Sequence, residues 1–138
     1  MKDRNFIDTN ILIYLYSQES GKQNKILSLL NRDEIFVIST QIIMEFCNVL
    51  VKKLKYTKSE LDIAIEDFYR NFEISLINQK TIKKALEIYV IYKYSLFDCL
   101  VISTALEANC SIIYSEDMQH NQMIDNKVKI INPFMQLY

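Results

Sequence analysis

Glycine and proline are almost missing from this chain: Gly21 and Pro133 are the only ones in 138 residues. So few breakers leave no flexible linker and no internal domain boundary, and they predict few tight turns. One domain with one core is expected over residues 1–138. Histidine occurs once, as His120, and the three cysteines, Cys47, Cys99 and Cys110, lack the close pairing of a zinc site. Each cysteine falls in an apolar setting and reads as a core side chain, which fits a reducing cytoplasm. Charge of one sign is also lacking. A net charge of −1 with pI near 5.8 argues against a protein that grips nucleic acid through its overall charge. Local lysine groups, Lys52, Lys53, Lys55 and Lys58 and then Lys80, Lys83 and Lys84, could face a polyanion or solvate a helix, and charge runs usually line a wet face. The longest unbroken apolar run, Ile11 to Tyr16, is too short to cross a bilayer. Lys2 and Arg4 precede an apolar stretch, but Asp8 and Asn10 break it and no small-residue cleavage site follows, so no signal peptide is expected.

What the chain does have is apolar runs alternating with amphipathic stretches. Asn5 to Ile7, Ile35 to Ile38, Ser111 to Tyr114 and Val128 to Ile131 read as buried strands, and Ile74 to Ile77 as a short edge strand. Between them lie helical patterns: Asn10 to about Ser17, Lys22 to Leu30, a third from Ser39 and Thr40, a fourth after Thr57, a fifth from about Gln79 to Lys93, and a sixth from Leu96 to Ala108. The third places Ile43, Phe46, Cys47, Leu50 and Leu54 on one stripe. The fourth opens on a capping-box pair, Thr57 and Glu60, and buries Leu61, Ala64, Ile65, Phe68 and Phe72. The fifth turns Ile82, Ala85, Leu86 and Tyr89 inward. Strands alternating with helices argue for right-handed βαβ units, hence an α/β fold: a three-layer α/β/α sandwich around a mostly parallel, five-stranded sheet.

Four carboxylates recur at one kind of place in this layout. Asp8 and Asp117 lie just past strands, while Glu45 and Asp98 sit in the opening turns of helices. Ligands bind at the C-terminal edge of such a sheet because loops and helix N-termini converge there. Each acid also has a plainer role open to it. Asp8 or Thr9 could simply start a helix. Ser95 and Asp98 match a capping box, where an acid suits the helix dipole. Independent caps do not explain an acid at every connection around one cleft. Gathered acids repel one another and raise each other's pKa unless a cation neutralises them. Oxygen-only ligands select Mg²⁺ or Mn²⁺ over zinc. Glu116 could stand in for Asp117, although neighbours in an extended segment point to opposite sides, which favours Asp117. His120 reads as a surface loop residue rather than a base.

The segments FIDTNILIY (Phe6 to Tyr14), ISTQIIMEF (Ile38 to Phe46), FDCLVISTAL (Phe97 to Leu106) and IIYSEDMQH (Ile112 to His120) resemble, in this order, those of PIN-domain ribonucleases, especially the toxin subunits of VapBC toxin–antitoxin modules. The resemblance covers nearly the whole chain. It implies that Asp8, Glu45 and Asp98 are the family's metal-site acids, that Asp117 is the fourth and more variable one, and that Thr9, Asn10 and Ser39 are polar helpers. It implies a sheet ordered 3-2-1-4-5, cleavage of RNA to 5′-phosphate and 3′-hydroxyl ends, homodimers, and an antitoxin whose tail occupies the cleft. The chain departs from related ones at Asn121, where they often carry Gly.

The activity so implied is metal-dependent hydrolysis of RNA phosphodiesters. Two other functions use the same acids: a non-catalytic cleft that binds a partner's arginines or stores a metal, and a Mg²⁺-dependent phosphohydrolase working through a covalent aspartyl intermediate. The latter wants a second acid two residues after Asp8, where Asn10 stands.

Overall fold

The computed structural model describes residues 2–135. Its elements run β1 (Arg4–Ile7), α1 (Thr9–Ile13) continued by a 3₁₀ turn (Tyr14–Tyr16), α2 (Ser20–Leu30), β2 (Ile35–Ser39), α3 (Thr40–Leu54), α4 (Lys58–Asn71), β3 (Glu73–Ser75), α5 (Gln79–Tyr92), α6 (Leu96–Glu107), β4 (Ile112–Tyr114), β5 (Met123–Ile124) and β6 (Val128–Ile131). The sheet is ordered β3-β2-β1-β4-β6-β5. Its first five members run parallel, in the expected order, and β5 is an antiparallel addition that turns back along β6. The expected five strands are therefore six. Two residues are too few for Met123 and Ile124 to show a strand's alternation in sequence. The fold class stands as expected: α/β, with helices packed on a mostly parallel sheet.

The topology follows from handedness. Right-handed crossovers from β1 to β2 and β2 to β3 put α1 to α4 on one face, and the return from β3 to β4 across β1 puts α5 and α6 on the other. In the first layer Phe46 of α3 and Phe68 of α4 meet edge to face at 4.7 Å, and Tyr16 packs on both at 5.1 and 6.3 Å. Phe46 and Phe68 are almost wholly buried, each contributing about 1.5–3 kcal/mol by leaving water. In the second layer α6 carries Cys99, Val101, Ile102, Ser103, Thr104 and Ala105 buried, as a helix enclosed between a sheet and another helix must.

Two stripes differ from expectation. On α3 the buried residues are Ile42, Ile43, Phe46 and Leu50, while Leu54 is 45% exposed and Cys47 only half-buried. On α5 the buried residues are Thr81, Ala85 and Ile88, and Ile82, Leu86 and Tyr89 stand about half exposed. Small residues decide the second case. The Ser103 hydroxyl of α6 donates to the Thr81 carbonyl at 2.8 Å, Thr81 and Ala85 lie buried on that side, and the bulkier stripe is left outside.

Scarce glycine does not mean scarce turns. Lys55, Lys93, Asn109, Asn121, Asp125 and Asn126 all adopt positive φ, the left-handed region that glycine usually fills. Asn121, where the resemblance led one to expect Gly, has a φ of 70°. Among the described residues no helix is long and apolar enough to cross a membrane.

Candidate functional site

β1 ends at Ile7, paired with Tyr114 of β4, so the residues that follow, Asp8 and Ser115, lie side by side at the C-terminal edge. Asp8 does cap α1, accepting from the Thr9 N–H at 2.8 Å. Its second oxygen accepts from the Ser115 hydroxyl at 2.9 Å. A carboxylate 7% exposed is costly to keep charged. Burial accordingly pushes the Asp8 carboxyl up to about 6, the Thr9 and Ser115 bonds pull against it, and the charges of Asp98 and Glu45 add to the rise.

The other acids arrive from three further elements. Ser39, at the end of β2, caps α3 by accepting from the Ile42 N–H at 3.2 Å, and the second turn of that helix brings Glu45 round to the same edge. Glu45 accepts from the Thr9 hydroxyl at 3.1 Å and from the Gln41 amide at 2.5 Å. Ser95 caps α6 through the Asp98 N–H at 3.1 Å. The reciprocal half of the expected capping box is not made. The pKa of Asp98 is raised by partial burial, lowered by Ser95, and raised again by Asp117 and Glu45. Asp117 follows β4 and accepts from the Asn10 side-chain amide.

The charges of Asp98 and Glu45 thus act on Asp8, and those of Asp117 and Glu45 on Asp98, which links the acids of this edge through Asp98. Thr9 and Asn10 hold acids directly. Ser39 bonds none of them and acts as a helix cap. Glu116 points elsewhere: it accepts from Tyr14 at 2.5 Å and from Lys22 at 3.1 Å. His120 turns its Nδ1 to the Asn132 N–H at 2.9 Å, a structural tie in a loop. Ser115 and Gln41 were missed in the sequence. The strand register carried a signal for Ser115, since aligning Ile7 with Tyr114 sets it against Asp8. Gln41 follows from Glu45 by its one-turn spacing.

The donor set suits a hard divalent cation: it is all oxygen, and Asp8 is buried among like charges that a cation would neutralise. Among the described residues, no three His, Cys, Asp or Glu side chains stand close enough together to hold an ion as they are. Glu45 is instead hydrogen-bonded to Thr9 and Gln41, and Asp117 to Asn10.

A family profile described as PIN domain matches residues 6–124. No curated protein matches the chain in sequence. Among solved structures, the Mycobacterium tuberculosis toxin VapC20, described as cleaving the sarcin-ricin loop, is similar with TM-score 0.69 and 14% identity over 82% of this chain and 89% of its own. A toxin–antitoxin complex from Klebsiella pneumoniae is similar with TM-score 0.69 and 22% identity over 94% and 98%. VapBC2 from Rickettsia felis, bound to a DNA fragment from its promoter, follows with 0.67 and 18% over 92% and 96%.

Proposed function

The chain belongs to the PIN domain family, and from that premise we propose that it is a metal-dependent endoribonuclease, the toxin of a toxin–antitoxin pair. The observation that carries the reading is Asp8, a buried carboxylate set beside Glu45 and Asp98 at the edge of the sheet where ligands bind. The described activity of VapC20 supports RNA as the substrate class. The assembly of the Klebsiella neighbour supports an antitoxin as the partner.

Asp8, Glu45, Asp98 and Asp117 would hold Mg²⁺ or Mn²⁺. When bound, such an ion supplies the positive charge that makes a water acidic enough to attack phosphorus and that steadies the departing oxygen. The residues themselves do the positioning. Thr9 and Ser115 fix Asp8 and Glu45 in one orientation, as outer-shell partners do. Asn10 steadies Asp117, the most exposed of the acids. Tyr14 and Lys22 hold Glu116 away from the cleft, which keeps its charge out of the set.

The test is a mixed RNA pool incubated with the protein and Mg²⁺, Mn²⁺ or EDTA. Cleavage with either metal, lost with EDTA and in Asp8→Asn and Asp98→Asn, is expected. RNA left intact under every metal would favour the second reading, an acidic cleft for a partner's arginines, which draws support from the open spacing of the acids. The nuclease reading includes a homodimer, supported by the stripe Ile82, Leu86, Tyr89 and Val90 exposed on α5. Light scattering should give twice the chain mass for the parent and the single mass for Leu86→Asp.

A further inference from the structure

Gln41, in the first turn of α3, does something that the four acids do not account for. Its amide nitrogen faces two acceptors, Glu45 Oε1 at 2.5 Å and the Phe97 carbonyl at 3.4 Å. Two oxygens on one side fix which end of the amide is the nitrogen. The other end, Oε1, is buried without a hydrogen-bond partner. A buried acceptor lacking a donor lowers stability, so packing alone would be better met by an apolar side chain of the same length. What glutamine supplies is a tie between elements. Glu45 belongs to α3 and Phe97 immediately precedes Asp98 in α6. Among the described residues no other side-chain hydrogen bond joins these two helices. The second oxygen of Glu45 is already held from α1 by Thr9, so the carboxylate is fixed from both sides.

We propose that Gln41 is a positioning residue: by holding Glu45 and the backbone beside Asp98 at once, it sets the gap between those two carboxylates and thereby the grip of the edge on a divalent cation. The inference rests on the reading of that edge as a metal-dependent site. Mn²⁺ affinity, measured by titration calorimetry, and melting temperature in EDTA are the readouts for the parent, Gln41→Met and Gln41→Asn. Gln41→Met keeps length and helix propensity without a donor. It should bind Mn²⁺ about tenfold more weakly, the scale of a lost outer-shell partner, while melting no lower than the parent. Gln41→Asn keeps the donor on an arm too short to span both acceptors and should fall between. Equal Mn²⁺ affinity in the parent and Gln41→Met overturns the proposal and leaves the acidic site standing. A parent that binds no Mn²⁺ overturns the acidic-site reading and this inference with it.

Discussion

Asp8 concentrates the tension of the molecule in one side chain. Burial raises its pKa from an ordinary aspartate value to about 6, with Asp98 and Glu45 adding to the rise. Below about pH 4 the folded and unfolded chains both carry its proton, and between about 4 and 6 only the folded chain does. The stability it contributes is therefore full in acid and is lost as pH rises through about 6. Asp98, also raised, works in the same direction. Glu116, whose partial burial is outweighed by Tyr14 and Lys22, and Asp125, held down by Lys84, oppose this only below the ordinary carboxylate range. In EDTA the melting temperature should accordingly rise from pH 7.5 to pH 5. Asp8→Asn should flatten that rise and stabilise the protein at pH 7 by about 1–3 kcal/mol, since asparagine still caps a helix without the buried charge. A variant that melts below the parent at pH 7 in EDTA would contradict this account.

At the scale of elements the caps were plain in the sequence, because they are local. Thr57 with Glu60 forms the expected box, and Ser39 and Ser95 start their helices. Two helices instead end on lysines, Lys55 and Lys93, in the left-handed conformation with φ of 57° and 59°. A side chain there is strained where glycine is not. Lys55→Gly and Lys93→Gly should each raise stability by up to about 1 kcal/mol, part of the relief being offset by the freer unfolded chain. Thermal melts of the two variants check this. Composition hid these turns, since one glycine pointed to few of them. The exposed side of α5 was hidden for a different reason. Its apolar residues cover more than one face, and the buried one, with Thr81 and Ala85, is the one on which Ser103 of α6 donates to the Thr81 carbonyl. That choice belongs to a neighbour distant in sequence. The acids were legible because each stands beside an element boundary. Gln41 and Ser115 stand out only once Glu45 and Asp8 are taken as site residues, Gln41 by helix spacing and Ser115 by strand register.

For the whole molecule, a cation that binds only the folded chain must stabilise it. At about 100 times its Kd the gain is about 2.7 kcal/mol, which is several degrees of melting temperature for a chain of this size. Adding Mn²⁺ should produce that rise in the parent and none in Glu45→Gln. Glu45→Gln should melt in EDTA no lower than the parent, because repulsion among the remaining acids is relieved. An Mn²⁺-dependent rise that persists in Glu45→Gln would remove Glu45 from the site.

The hairpin of β5 and β6, turned by Asp125 and Asn126 in the left-handed region, matters beyond local geometry. It covers one margin of the sheet with a strand only two residues long, and the opposite margin, β3, has three. Neither offers a row of free amides long enough to template an incoming chain. Partially opened molecules should therefore resist stacking into fibrils by this sheet, however apolar its interior strands are.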